Sequence, residues 1–170
     1  MDLVLGDARV TMERQQLAPE DRYRLLVIDA FSSDAIPVHL LTREALKLYR
    51  EHLRDDGVLA FHASSRYFDL FPVLAALARD AGWACLVQLD VTVSGADNRD
   101  VKSGNTGGNS DKLHGKSPSS WVVMGGRGRL DKLTGDARWQ RGEDQPVKAV
   151  WTDDYSNVFA VFHWEQTAGE

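Results

Sequence analysis

The sequence predicts an α/β domain with a mainly parallel sheet, and three observations carry that expectation. Leu3-Val4-Leu5, Leu25-Leu26-Val27-Ile28 and Val58-Leu59-Ala60-Phe61 are apolar at every position, as strands covered on both faces require. The second and third runs are each followed by a helical pattern, the order of βαβ units. The length of 170 residues suits one core rather than two.

Taken in order, the run at Leu3 opens the sheet and the run at Leu25 supplies its next strand. Thr42 can then cap a helix with Leu46, Tyr49 and Leu53 on one side, and Asp55-Asp56-Gly57 offers its stop. After the strand at Val58, Asp69 can cap a second helix. Pro72 falls in its first turn, where proline is tolerated, and Leu70, Leu74, Leu77 and Ala81 form an apolar stripe. Gly82 ends that helix, a strand follows over 84–91, and two more are expected at 121–124 and 158–162. Antiparallel strands near the C-terminus would complete the sheet. Gly125-Gly126-Arg127-Gly128-Arg129 lacks the full G-x-G-x-x-G spacing of a phosphate-cradling loop and reads as a tight turn.

Between Ser94 and Ser120 the composition changes: five Gly, six Ser and three Asn stand beside only Ala96, Val101 and Leu113 as aliphatic residues. Such a segment buries too little surface to offset its ordering entropy. The alternatives are a flexible polar insertion between two strands and a lid that orders over a ligand. No repeat or linker divides the chain, so residues 1–170 form a single domain.

The charged side chains, 20 basic and 25 acidic, leave a net charge of −5, which argues against a general nucleic-acid-binding surface. A lone Cys85 in an apolar run excludes an internal disulfide and a cysteine-cluster zinc site, and its role is core packing. The five histidines show no H-x-H or H-E-x-x-H spacing, so no metal is expected. No apolar stretch approaches about 18 residues and Met1-Asp2 opens no signal-like segment. The chain is therefore expected to be cytoplasmic, without a membrane partner.

In open α/β sheets ligands lie beyond the carboxyl ends of the strands. The three apolar runs are followed there by Gly6-Asp7-Ala8-Arg9, by Asp29-Ala30-Phe31-Ser32-Ser33-Asp34 and by His62-Ala63-Ser64-Ser65-Arg66-Tyr67. Trp151-Thr152-Asp153-Asp154-Tyr155 adds two carboxylates and a phenol before the last expected strand. If these groups converge, carboxylates and aromatic rings make a receptor for a cationic amine. A carboxylate at a strand end could also accept a proton from an ammonium group, freeing its lone pair to attack. Adjacent acids such as Asp153 and Asp154 equally serve as turn residues.

The ordered set Gly6-Asp7-Ala8-Arg9, Leu26 to Pro37, Leu40-Leu41-Thr42-Arg43-Glu44, Gly57-Val58-Leu59 and Trp151 to Asn157 resembles the spermidine synthase-like (polyamine aminopropyltransferase) family, closest to its members fused to membrane transporters. The resemblance implies a Rossmann-like sheet of the class I S-adenosylmethionine-dependent methyltransferase type, with helices on both faces. It implies decarboxylated S-adenosylmethionine, or S-adenosylmethionine, as co-substrate and a polyamine such as putrescine as acceptor. Carried over by position, Asp7 and Ala8 meet the adenine end, Asp29 is the catalytic carboxylate, and Asp34, Tyr67, Asp153, Asp154 and Tyr155 line the amine. The second carboxylate, Asp34, stands five residues after Asp29 where the family places it three on, and Ser65 replaces an amide.

The family's glycine-rich cofactor turn and its first two strands are not found in this sequence. That predicts a partial sheet, an isolated chain without appreciable turnover, and edges at Leu3 and Val27 that pair with each other or in a homodimer. A non-catalytic polyamine- or protein-binding remnant and a small-molecule methyltransferase are the other function classes the residues admit.

Overall fold

The computed structural model describes residues 3–30, 36–65, 68–90, 119–146 and 148–162. Asp7 opens the first helix, α1 (Ala8–Arg14), by accepting the Val10 N–H at 3.0 Å. After a short 3₁₀ turn comes β1 (Tyr23–Ile28), then α2 (Arg43–His52), β2 (Leu53–His62), α3 (Phe71–Asp80) and β3 (Ala84–Asp90). The chain closes with β4 (Ser119–Gly125), a single helical turn α4 (Asp131–Thr134) and the three-residue β5 (Trp139–Arg141).

The strand order is β1-β2-β4-β3-β5. Only β1 and β2 pair in parallel, and the other three pairings are antiparallel. The expected mainly parallel sheet is thus corrected to a mixed one. Strands β1, β2 and β3 do run the same way, as successive βα units should, but β4 inserts between β2 and β3 in the opposite sense and removes their parallel contact.

Of the two expected caps, Thr42 takes its place, whereas Asp69 stands one residue before the N-cap position of α3, which Leu70 occupies. Thr42 Oγ1 accepts the Ala45 N–H at 3.2 Å at the start of α2, and Asp69 accepts the Phe71 N–H at 3.1 Å ahead of α3, with Pro72 in the first turn. Gly82, at φ +68°, terminates α3 as only glycine does readily. Residues 71–78 of α3 are all buried, so the helix is enclosed around its whole circumference rather than along one stripe. The run Gly125 to Arg129 forms the expected turn, with Gly128 at φ +82°.

Three expectations fail for local reasons. Leu3, Val4 and Leu5 form no strand and stand exposed, having no neighbouring strand among the described residues. Asp55-Asp56-Gly57 does not stop α2, which ends at His52, but lies inside β2 at a register shift against β1. A side chain at Gly57 would meet the Arg54 and Tyr23 carbonyls at about 3 Å, so close backbone approach explains that glycine. The strand expected at 158–162 is a 3₁₀ turn, Val158–Val161, because the Asn157 side chain accepts the Ala160 N–H. Helix α1 and strand β5 were not anticipated. The polar segment lies outside the described residues except for Ser119 and Ser120, which begin β4.

Helices α1, α2 and α3 share one face of the sheet. There Leu59 and Phe61 of β2, Val122 and Met124 of β4 and Val87 of β3 form the main core with Tyr49, Leu74 and Trp151. Burial pushes the Tyr49 phenol and the Cys85 thiol upward, the latter to about 12, so Cys85 is a core residue and not a nucleophile. Among the described residues only α4 and its neighbours cover the other face, around Ala60, Leu86, Val123 and Leu130. The expectation of helices on both faces therefore holds only in this reduced form. Beside that small cluster Tyr23, Leu25 and Val27 of β1 remain exposed on the same side.

Phe61 is 1% exposed on β2, an interior strand of the sheet, and Phe61→Ala should destabilise the chain by about 3–5 kcal/mol. Val27→Ala, on the uncovered face, should change it by less than about 1 kcal/mol. Urea unfolding of the two variants checks the contrast, and equal losses would contradict the asymmetry of the two faces.

Candidate functional site

Strand β1 delivers Asp29 and strand β2 delivers His62 to neighbouring positions, because their parallel register sets Ile28 beside Phe61. The imidazole Nδ1 lies 2.7 Å from Asp29 Oδ1 and Nε2 lies 2.9 Å from Ser64 Oγ. Ser64 Oγ also accepts the Ser120 N–H at 2.8 Å. That contact directs the serine proton to Nε2, so the network assigns the ring proton to Nδ1, where it is donated to the carboxylate. The ring stacks on Trp121 at 4.7 Å between centroids and 26° between planes. His62 is therefore held on three sides, and it holds one oxygen of a largely exposed Asp29. The other Asp29 oxygen has no partner among the described residues, which leaves a carboxylate able to receive a cation or a proton.

A second cluster joins the N-terminal helix to the turn at 152–155. Arg9 forks onto Asp153, Nη1 to Oδ1 at 2.7 Å and Nη2 to Oδ2 at 2.5 Å. Thr42 donates to Asp153 Oδ1 at 2.8 Å, and Glu44 accepts the Asp153 N–H at 2.9 Å. Arg9 also donates to the His39 carbonyl at 2.9 Å. Hydrogen bonding by Arg9, then by Thr42, holds the Asp153 carboxyl below its ordinary range. The Asp7 carboxyl is lowered too, first by the Val10 N–H and then by His39, whose Nε2 is 2.9 Å from Oδ2.

The structure thus divides the anticipated residues. Asp7 and Asp153 belong to one hydrogen-bonded cluster with both oxygens of each engaged, whereas Asp29 belongs to the His62 network. Ala8 is the first residue of α1. Asp154 and Tyr155 are exposed in the turn between the Thr152–Tyr155 bridge partners. Asp34 and Tyr67 lie outside the described residues. Sequence reasoning gave no role to His62, Ser64, Trp121 or Arg9. The two-residue spacing of His62 and Ser64 at a strand end was the available signal. Among the described residues no group of three or more His, Cys, Asp or Glu side chains is placed to hold a metal, and no helix is long and apolar enough to cross a membrane.

No model of a known protein family matches the chain. It is 38% identical over 66 residues to the polyamine aminopropyltransferase of Vibrio vulnificus (strain CMCP6), a stretch that covers 38% of this chain and 22% of that protein. A spermidine synthase-like relationship is supported. The chain spans about a fifth of that relative's length, and the transporter-fused subgroup has no counterpart in this comparison.

The Arg9 fork gives a prediction with a definite sign. The folded pKa of Asp153 is depressed, so its stabilisation is present above the ordinary value near 3.8 and is lost as pH falls through the lower folded value. Asp153 is 41% exposed, so Asp153→Asn should cost only about 1 kcal/mol at neutral pH. Its stability should fall less steeply than the parent's between pH 5 and about pH 2. Melting curves across that range test this, and parallel acid limbs would remove Asp153 from the role.

Proposed function

We propose that the chain carries the strand-end portion of an aminopropyltransferase site, acting in the cytoplasm on a polyamine such as putrescine. The supporting observation is Asp29 at the end of β1, with one oxygen fixed by His62 and the other without a partner among the described residues. In this reading the acceptor amine loses a proton to Asp29, and its lone pair attacks the aminopropyl carbon of decarboxylated S-adenosylmethionine. A C–N bond forms, the C–S bond breaks and methylthioadenosine departs. His62 orients the carboxylate through Nδ1–H, and Ser64 with Trp121 keeps the ring in place.

Asp154, Tyr155, Asp34 and Tyr67 are assigned to the cationic amine. Asp153 works indirectly, by anchoring the turn that carries Asp154. Asp7 and Ala8 meet the adenine end through the turn at the start of α1, since the Asp7 carboxylate already caps that helix. In this reading the glycine-rich cofactor turn and the first two strands of the Rossmann-like methyltransferase arrangement are not supplied by these 170 residues, so the chain by itself binds amine without turning it over. The uncovered edge at β1, with Leu25 and Val27 exposed beside it, carries self-association in the same reading.

Putrescine titrated into the chain should shift the His62 ring resonances saturably, and Asp29→Asn should weaken that binding at least tenfold. Equal affinity in the two proteins would place the amine elsewhere. Fused behind the N-terminal part of the Vibrio vulnificus relative, the chain should transfer the aminopropyl group, whereas Asp29→Asn in the fusion should reduce transfer by about 10²–10⁴-fold. A folded fusion that binds putrescine without transferring would favour the polyamine-binding alternative.

Sedimentation tests the association separately. A dimer that dissociates in Leu25→Lys is expected, and a monomer at every concentration would refute it.

A further inference from the structure

At the opposite end of β1 and β2 from Asp29 lies a cavity of about 590 Å³, lined by Arg22, Lys47, Arg50 and Arg54 together with Trp83. Its cations come from the residue before β1, the last two turns of α2 and the start of β2. Two carboxylates, Glu51 and Asp55, also line it, leaving a formal excess of two positive charges in a chain whose net charge is −5.

Those cations are not neutralised by their neighbours. Among the described residues none of the four makes an ion pair. Arg54 directs its guanidinium to the backbone carbonyls of Arg22, at 2.8 Å, and Glu20. Arg50 rests on the Trp83 ring with its guanidinium carbon 5.8 Å from the ring centroid. Arg22 is half-buried, and its Nε has no acceptor among the described residues. The C-terminal end of α2 accounts for one cation at Arg50, where the helix dipole favours it, but not for Arg22 or Arg54.

We infer that this cavity is a binding site for a phosphate-bearing small molecule. Guanidinium forks match phosphate oxygens in geometry and charge, and Lys47 adds a mobile point charge at the rim. A dianion would offset the local excess of two charges. Trp83 borders the adjoining cavity as well, where Arg79, Arg127 and Arg141 contribute further cations. Two carboxylates, Asp131 and Glu143, line that second cavity too. This inference stands on residues that play no part in the proposed aminopropyl transfer, and it survives if that reading fails.

The test follows the Trp83 indole N–H resonance, assigned by its loss in Trp83→Phe, as inorganic phosphate, pyrophosphate or adenosine monophosphate replaces chloride at constant ionic strength. Saturable shifts are expected, with pyrophosphate binding at least threefold more tightly than phosphate. Arg22→Gln and, separately, the exposed Lys47→Gln should each weaken binding at least fivefold, and Lys132→Gln should leave it unchanged. Lys47→Gln decides the matter if Arg22→Gln fails to fold. Tighter binding of the nucleotide than of pyrophosphate would identify a nucleoside-borne phosphate as the ligand, and the reverse order a free one. Shifts that follow ionic strength irrespective of the anion, or equal affinity in the Lys47 variant, would overturn the proposal.

Discussion

Strand β2 is the constraint on which the other elements depend. It pairs in parallel with β1 through Leu25 to Ile28 and antiparallel with β4 through Val58 to His62, so its backbone groups are satisfied on both sides along that stretch. Leu59 and Phe61 point into the helical core while Ala60 points into the smaller cluster opposite. A one-residue slip would exchange those faces, placing an alanine against α2 and α3 and a phenylalanine against the thin cover of α4. The same register brings His62 to Asp29 and sets Arg54 against the carbonyls that precede β1. Packing thus determines both the acidic end of the sheet and the basic one.

The segments around β2 were legible in the sequence because local rules and burial agreed there. Thr42, Pro72 and Gly82 each act where their chemistry places them, and the apolar runs at Leu25 and Val58 are strands. Reading failed where an apolar run had no partner. Leu3-Val4-Leu5 has the composition of a buried strand, but composition states a preference for burial and cannot supply the neighbouring strand that satisfies it. Strand order was similarly hidden. The antiparallel insertion of β4 depends on non-local pairing across residues 91–118, which no periodicity encodes.

The site was legible as a set of positions and not as a set of roles. Asp7, Asp29 and Asp153 all follow or precede strands or turns, and their residue type alone makes them equivalent. Geometry separates them: Arg9 and Thr42 engage both oxygens of Asp153, and Val10 and His39 engage both of Asp7. A carboxylate whose oxygens are committed to a cap and a guanidinium resists protonation, as the lowered values of both groups indicate. A poised proton acceptor needs the opposite condition, an oxygen left available near working pH. Asp29 differs from both in that, among the described residues, its one partner is the His62 imidazole, which fixes one oxygen. Sequence spacing could not anticipate this, since Arg9 and Asp153 are separated by 144 positions.

The basic cavity shows the same limit from the other direction. Arg22, Lys47, Arg50 and Arg54 are spread over 33 positions and interleaved with acids, so no charge run marks them. They converge because α2 runs antiparallel to the strands it connects, returning its C-terminal turns to the level at which β1 and β2 begin. Asp29 is carried by the outgoing end of β1, and the cations by the incoming ends of β1 and β2 and the last turns of α2. A parallel pair joined by one helix therefore sorts charge along its axis, although the overall composition is acidic. Trp83 adds a fixed wall at the cationic end, as Trp121 does beside His62 at the other. Opposite charges held about a strand length apart impose opposite ligand preferences on the two ends.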